Sequence, residues 1–229
     1  MGRSGRMWAE LHCAAASKVV YANPPDWNEM QAWRRILRPG DLFVDVGSNV
    51  GAYALWAGDC GAEVIAIEPS PEAVRRLHAN VRLNEFAITV RECGLADHPG
   101  QCTLSTGEDS TNHLRLEPGA VGDTIEVDTL DNILGSRFAV GVKIDVEGAE
   151  RLVLDGARRA LEQRRIGVLQ IEWNARSRSV LGEDRGPVAA ILAGYGYQFA
   201  RPDRLGVLRD TEVSGVSSRD MFAVLPEYR

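Results

Sequence analysis

The feature that most constrains this chain is a glycine turn at residues 45–51, which closes an apolar run at residues 42–46. Gly47 and Gly51 allow the backbone to adopt positive φ angles and to approach a ligand closely. A helix-like segment follows, and about twenty residues later a second apolar run ends in Glu68. This order of strand, glycine turn, helix, strand and acid is typical of a nucleotide site at the carboxyl edge of a parallel sheet.

Three classes of nucleotide ligand use such a turn, and the residues favour one of them. A phosphate-binding loop requires a lysine after the second glycine, and none follows Gly51. A dinucleotide turn requires a glycine where this chain has Asn49. The remaining pattern, D-x-G-x-N-x-G, is typical of S-adenosylmethionine sites. Asp45, Ser48 and Asn49 offer polar groups for the ammonium and carboxylate of that ligand, and Glu68 can accept hydrogen bonds from two ribose hydroxyls. The alternative is a tight strand-to-helix turn without a ligand.

Composition and charge are those of an ordinary globular protein. The 229 residues, 45% of them hydrophobic, suit one domain, with residues 1–38 as a helical N-terminal extension. The net charge is −6 and the basic residues are scattered, which argues against a nucleic-acid polymer as partner. No apolar run approaches the roughly 18 residues of a membrane span, and no signal-peptide core is found. The four cysteines form no C-x-x-C pair, so we expect free thiols, a cytoplasmic location and no membrane contact; a homodimer is left open.

Apolar periodicity alternates between strands and helices along the chain, which predicts a doubly wound α/β sheet. Strands are predicted at 42–46, 63–68, 88–93, 124–127, 138–145, 168–172, 197–201 and 221–225, the last two supplying an antiparallel edge. Helices are predicted at 27–37, 51–58, 69–84, 130–134, 148–165 and 180–195, the last interrupted near Gly186. Residues 98–123 lack a clear pattern, so we expect irregular structure with one or two edge strands, and a lid at 105–123.

The end of the third predicted strand is expected to lie beside the adenine of the bound nucleotide. In this architecture either the carboxylate of Asp97 or the backbone of Leu95 can receive the adenine amino group. Ala96 lies between these two residues, and Pro69 directly follows Glu68, so both are assigned to the same cofactor site.

A second informative stretch, residues 142–150, carries charges within and after a predicted strand. Lys143 and Asp145 lie on one face of that strand, although charged residues rarely occupy a central strand. Asp145 would emerge at the carboxyl tip, on the same edge as Glu68, and we assign it a functional role. Lys143 is either functional or part of an internal ion pair that positions an acid. Glu150 is best explained as an acid in the first turn of a helix, where it suits the helix dipole.

Glu172 falls at a further strand tip and would join Asp145 and His113 in a polar cluster facing the transferred methyl group. His113 lies on the predicted lid, and its neutral imidazole would suit deprotonation of a hydroxyl, although a lone histidine in a loop often has no such role. Asp145, Glu172 and Asn174 would also provide three oxygen ligands acceptable to Mg²⁺. We nevertheless expect the site to work without a metal ion.

Together these motifs resemble the FkbM-type methyltransferases. The resemblance is carried by the glycine turn at 45–51, by Glu and Pro at 68–69, by K-I-D-V-E-G-A-E at 143–150 and by L-D-G at 154–156, and it covers about residues 40–175. It implies a class I methyltransferase (Rossmann-like) fold, with a mostly parallel seven-stranded sheet, helices on both faces and an antiparallel C-terminal edge strand. It also implies S-adenosylmethionine as methyl donor and hydroxylated small molecules as acceptors.

We therefore expect an S-adenosylmethionine-dependent O-methyltransferase that acts on a hydroxyl of a small molecule, such as a natural product, sugar or nucleoside. The predicted catalytic residues are Asp145, His113, Glu172 and Lys143. The predicted cofactor-binding residues are Asp45, Gly47, Ser48, Asn49, Gly51, Glu68, Pro69, Leu95, Ala96, Asp97 and Asp145. Methylation of nitrogen, a nucleotide or protein acceptor, and a cofactor-binding module without catalysis are the alternatives; a nicotinamide oxidoreductase is disfavoured by Asn49.

Overall fold

A computed structural model describes the chain over residues 2–8, 26–105, 113–115, 121–213 and 220–228. Most of the predicted lid at 105–123 lies outside these ranges, as does Cys13. Within them, strands and helices alternate in the order that the apolar periodicity predicts.

The described strands are β1 (Leu42–Val46), β2 (Glu63–Ile67), β3 (Ile88–Arg91), β4 (Gly94–Leu95), β5 (Gly100–Leu104), β6 (Leu114–Arg115), β7 (Asp123–Asp128), β8 (Ala139–Ile144), β9 (Ile166–Ile171), β10 (Gln198–Pro202), β11 (Leu208–Asp210) and β12 (Met221–Val224). The described helices are α1 (Trp27–Ile36), α2 (Ala52–Asp59), α3 (Pro71–Arg82), α4 (Leu130–Leu134), α5 (Glu150–Asp155), α6 (Arg158–Glu162), α7 (Ser177–Val180) and α8 (Gly186–Gly194). A short 3₁₀ helix at Pro226–Tyr228 ends the described part of the chain.

Eight of the described strands form the main sheet, in the order β11-β10-β12-β9-β8-β1-β2-β3. The five strands from β9 to β3 are parallel to one another, whereas β12 lies antiparallel between β9 and β10. The prediction of seven strands was wrong by one. The additional strand, β11, pairs antiparallel with β10 at the edge, and its half-buried and exposed residues carry no apolar pattern that would have predicted it.

A second, four-stranded sheet occupies part of the region predicted to be irregular. Its order is β4-β7-β5-β6, and β7 pairs antiparallel with β5 from Gly100 to Leu104. The predicted third strand therefore ends earlier than expected, because Gly94 and Leu95 leave the main sheet and pair with β7.

The long helix predicted at 148–165 is broken into α5 and α6 at Gly156. A Cβ atom at Gly156 would lie 2.1 Å from the carbonyl oxygen of Ala96, so the helix passes this point in close contact with another segment. Asp131 then stabilises the start of α6, because its carboxylate accepts hydrogen bonds from the backbone N–H groups of Arg159 (2.9 Å) and Ala160 (2.8 Å).

The two faces of the main sheet pack against different helices. Alternate strand residues point to opposite faces, so Phe43 and Val168 join the core formed with α1, α2 and α3 around Trp33. Val44 and Leu169 point the other way and pack with α4, α5, α6 and α8. No helix in the described ranges is long and apolar enough to cross a membrane.

The parallel arrangement fixes the place of the site. Strands β2, β1, β8 and β9 are neighbours and run in one direction, so their carboxyl ends meet at one edge of the sheet. Glu68, Asp145 and Glu172 each directly follow one of these strands, and the glycine turn follows β1. The sheet therefore brings together residues that are up to 125 positions apart, counting from Gly47 to Glu172.

Candidate active site

A cavity of about 230 Å³ lies at this edge. Most of the predicted site residues line it: Asp45, Gly47, Ser48, Asn49, Glu68, Pro69, Leu95, His113, Lys143, Asp145 and Glu172. Three others, Gly51, Ala96 and Asp97, do not belong to its described lining. The cavity extends from the glycine turn to the ends of β8 and β9.

The glycine turn has the backbone geometry that its sequence predicts. Gly47 has φ = 77°, and a Cβ atom there would lie 1.8 Å from the carbonyl oxygen of Asp145, so only glycine fits between β1 and β8. Asn49 also has a positive φ, 49°, and its side-chain oxygen accepts the backbone N–H of Val50 at 2.8 Å. Gly51, at φ = 94°, precedes α2 and shapes the turn without lining the cavity.

Glu68 is a buried carboxylate at the tip of β2. Its Oε2 accepts the backbone N–H of Asn49 at 2.8 Å, and its Oε1 accepts that of Ser70 at 2.9 Å. Burial raises the pKa of Glu68 to about 7, although the two N–H donors act in the opposite direction. Each carboxylate oxygen keeps a second lone pair, so Glu68 can still accept hydrogen bonds from two ribose hydroxyls.

Asp45 is buried, and both of its carboxylate oxygens lack a hydrogen-bond donor among the described residues. Burial raises its pKa, an effect that the Lys143 ammonium at 3.9 Å partly offsets. A buried carboxylate whose oxygens lack hydrogen-bond donors is costly unless a ligand supplies them. Because Asp45 lines the cavity, it is well suited to receive the ammonium group of an amino-acid tail.

Lys143 lines the cavity and forms an internal ion pair. Its ammonium donates to Asp145 Oδ2 at 3.0 Å and lies 4.7 Å from the ring centre of Tyr53. Burial alone would lower the pKa of Lys143, but the carboxylates of Asp145 and Asp45 outweigh it and raise the pKa above its usual range. Lys143 therefore stays charged and orients Asp145.

Three carboxyl groups converge at the far end of the cavity. Asp145, Glu147 and Glu172 each offer an oxygen, and these three oxygens lie within 4.8 Å of one another. Burial and the Asp145 charge raise the pKa of Glu147 to about 7, and burial with the neighbouring acids raises that of Glu172 to about 9. Glu172 therefore holds a proton at neutral pH more readily than Glu147 does, and Glu147 more readily than a solvent-exposed glutamate.

The predicted oxygen-ligand set for Mg²⁺ needs correction. Asn174 does not line the cavity, because its side-chain oxygen accepts the backbone N–H of Arg176 at 2.8 Å and a guanidinium N–H of Arg185 at 3.2 Å. In the described ranges, the group of side chains that could hold a metal ion is Asp145, Glu147 and Glu172 instead. Lys143 already supplies a positive charge to Asp145 at this place.

His113 and Leu95 line the cavity, whereas Asp97 does not. His113 lines the cavity, and its Nδ1 lies 3.3 Å from the hydroxyl oxygen of Ser105. Leu95 lines the cavity as well. Asp97 lies outside it and pairs with the exposed ring of His98 at 2.9 Å, so of the two groups considered for the adenine, the structure brings only Leu95 to the site.

Sequence reasoning missed several residues that line the cavity, among them Asp26, Tyr53 and Glu147. Asp26 occupies the N-cap position of α1, but its carboxylate makes no capping hydrogen bond and accepts one from the Tyr53 hydroxyl at 3.1 Å. Glu147 has φ = 53°, an uncommon backbone conformation for a non-glycine residue. The signal that could have found it is its place in K-I-D-V-E-G, two positions after Asp145.

Comparison with known proteins agrees with this geometry. The FkbM methyltransferase domain family matches residues 45–199. The 31-O-demethyl-FK506 methyltransferase FkbM of Streptomyces tacrolimicus is 29% identical over 227 residues, which covers 80% of this chain and 82% of that protein. The hexuronic acid methyltransferase AglP of Haloferax volcanii is 28% identical over 134 residues, or 57% of this chain and 56% of that protein.

Solved structures support the predicted class I methyltransferase fold. The precorrin-6Y C5,15-methyltransferase of Geobacter metallireducens has a TM-score of 0.53 at 13% identity and covers 95% of this chain and 96% of its own. The magnesium protoporphyrin IX methyltransferase of Synechocystis, solved with S-adenosylmethionine, has a TM-score of 0.53 at 15% identity, and the match covers 93% of this chain and 84% of that one. The family match includes the glycine turn, Glu68 and the whole 143–150 stretch, and the chain belongs to the FkbM family of S-adenosylmethionine-dependent methyltransferases.

Proposed function

We propose that this enzyme transfers a methyl group to a hydroxyl oxygen of a small molecule. The observation that carries the proposal is that one cavity joins the cofactor residues around Glu68 to the carboxyl groups of Asp145, Glu147 and Glu172. Hydroxyl groups are good partners for this end of the cavity, because they can donate hydrogen bonds to ionised carboxylates and accept them from a protonated one.

The residues present fit the cofactor. In this proposal Glu68 accepts hydrogen bonds from the ribose hydroxyls, Asp45 pairs with the ammonium of the amino-acid tail, and the backbone of Leu95 contacts the adenine; all three residues line the cavity. Gly47 leaves no side chain between the turn and β8. When bound, S-adenosylmethionine supplies a methyl group that its sulfonium already activates, so the protein has to align an oxygen and share its proton.

The carboxyl groups divide this work according to their ionisation. Glu147 has a pKa of about 7, which is the best match for a general base at neutral pH, so we assign it the hydroxyl proton. Asp145, held by Lys143 at 3.0 Å, orients the acceptor. Glu172 carries its proton at neutral pH and donates a hydrogen bond to a second oxygen of the acceptor. His113 lines the same space and is the rival base.

Two relatives support an oxygen acceptor by their names. One is a methyltransferase for 31-O-demethyl-FK506, in which the methylated atom is an oxygen, and the other methylates a hexuronic acid. We extend this chemistry to the present enzyme as part of the proposal.

A panel assay tests the proposal. Purified enzyme and methyl-labelled S-adenosylmethionine are incubated with polyhydroxylated natural products, sugars and nucleosides, each paired with the analogue that lacks one hydroxyl and the analogue that has an amine there. We expect label in an ether that survives mild base, and no transfer to the deoxy analogue. Label in an amine, a nucleotide base or a protein would contradict the proposal and favour one of the alternative acceptors.

A further inference from the structure

Two loops carry the three carboxyl groups at the acceptor end, and they have to be held together. Asp145 and Glu147 belong to the first loop, residues 145–149, and Glu172 belongs to the second loop, residues 172–176. Their oxygens approach within 4.8 Å. Carboxyl groups at this spacing repel each other when ionised, so the loops require a stabilising contact elsewhere.

Glu150 fixes the first loop from inside the protein. Its side chain is fully buried, and its Oε1 accepts the backbone N–H of Gly148 at 3.0 Å and that of Val146 at 3.4 Å. These two residues flank Glu147 in the chain, so Glu150 holds the backbone on both sides of that carboxyl group.

Arg185 ties Glu150 to the second loop. It lies directly before α8, is only 2% exposed, and donates from Nη1 to Glu150 Oε2. The same guanidinium donates from Nε to the carbonyl oxygen of Asn174 at 2.9 Å and from Nη2 to its side-chain oxygen at 3.2 Å. One planar group with several donors therefore binds both loops at once, which a lysine could not do.

The two loops also touch through their backbones. Gly148 has φ = 107°, and a Cβ atom there would lie 2.9 Å from the carbonyl carbon of Arg176. The loops thus meet at a point that allows no side chain, beside the contacts that Arg185 makes with Asn174.

We propose that Glu150 and Arg185 are positioning residues, which set the spacing of the acceptor-binding carboxyl groups through a buried bridge between the two loops. Neither residue lines the cavity, so both act through Asp145, Glu147 and Glu172 and not on a ligand. The inference rests on the proposed function in one respect, namely that the acceptor hydroxyl binds at these carboxyl groups.

Two variants test the inference. The single variant Arg185→Lys keeps the buried charge but cannot bind both loops. The double variant Glu150→Gln with Arg185→Met removes both charges and leaves a side-chain acceptor for the Gly148 N–H. Glu227→Gln, which breaks an exposed ion pair with Arg164, is the matched control. We expect kcat to fall about 10- to 100-fold in both test variants, because small misplacements at a reacting centre are costly. The Kd of S-adenosylhomocysteine should change less than about threefold, because Glu68 and the glycine turn lie on other strands.

A crystal structure of the double variant gives a readout that does not depend on catalysis. We expect the oxygens of Asp145, Glu147 and Glu172 to spread beyond their present 4.8 Å. If the enzyme proves to transfer no methyl group to any hydroxyl, this spacing still tests the bridge. An unchanged spacing, an unchanged kcat, or an equal loss of kcat and of S-adenosylhomocysteine affinity would overturn the inference. If the double variant does not fold, Arg185→Lys decides by the same measurements.

Discussion

The raised pKa of Glu68 predicts that binding of the cofactor's nucleoside depends on pH. In the free enzyme, burial raises the pKa of this carboxyl group to about 7, and the nearby acids Asp45 and Asp145 act in the same direction. An ionised carboxylate can accept hydrogen bonds from both ribose hydroxyls. A protonated carboxyl group instead presents an O–H donor of its own to the two hydroxyls. Nucleoside binding is therefore strongest when Glu68 is ionised.

The size of the effect follows from the pKa. A group with a pKa of about 7 is ionised to roughly one tenth at pH 6 and to roughly nine tenths at pH 8. If the bound form is ionised throughout, the association constant should rise about tenfold between these pH values and level off above them. The sign is fixed: acid weakens binding, because protons compete with the ribose for Glu68.

The assay is calorimetric titration with 5′-methylthioadenosine, which has the ribose but not the amino-acid tail, so that Asp45 does not contribute. Glu68→Gln should remove the pH dependence and lower the affinity about 30- to 100-fold, since a charge-assisted bidentate contact is worth on the order of 2–3 kcal/mol. Glu72→Gln, an exposed acid on α3, should behave as the wild type. An affinity that is constant from pH 6 to pH 8, or a Glu68→Gln variant with wild-type affinity, would refute the reasoning.

Further predictions concern the other end of the cavity. Glu147→Gln should lower kcat about 10²- to 10⁴-fold and leave the Kd of S-adenosylhomocysteine unchanged. Wild-type kcat should rise with pH through about 7. Equal losses of kcat in Glu147→Gln and Asp145→Asn would contradict the assignment of Glu147 as the base. Asp145→Asn should act mainly on KM, and full activity of the folded variant would show that Asp145 has no role. Glu172→Gln should keep kcat at pH 7 within about threefold, because the carboxyl group is already neutral there, whereas Glu172→Ala should not. Gly47→Ala should abolish cofactor binding or destabilise the fold by about 1–3 kcal/mol in thermal unfolding, since its Cβ would lie 1.8 Å from the Asp145 carbonyl oxygen.

Much of the site follows from the sequence, because it depends on the ends of strands. Glu68, Asp145 and Glu172 each come directly after an apolar run, and parallel strands bring their carboxyl ends to one edge. No further information is needed to expect these three acids in one cavity. The same reasoning identified the glycine turn, whose backbone angles only glycine adopts at low cost.

Other parts of the site depend on contacts that local sequence does not encode. Asp26 reaches the cavity because Tyr53, 27 positions later, donates to its carboxylate, and the signal at Asp26 itself indicates a helix cap. Glu150 carries a similarly misleading signal, since an acid in a first helical turn needs no partner, yet its partner is Arg185, 35 positions away. The strand β11 has no apolar alternation, and its place in the sheet follows from its antiparallel pairing with β10.

Lys143 illustrates how strand register turns separate residues into one site. In the sheet, Asp45 lies beside Lys143, and Lys143 lies beside Gln170, so three polar residues form a row across β1, β8 and β9. Gln170 binds the Tyr53 hydroxyl at 3.0 Å, and the Tyr53 ring covers the Lys143 ammonium. A slip of one residue in the β1–β8 pairing would move Lys143 away from Asp45 and to the opposite face of the sheet. A lysine in a central strand is stable here because register supplies an acid at its side and the Tyr53 ring lies above it, while Asp145, two residues later on the same face of the chain, receives its ammonium at the cavity.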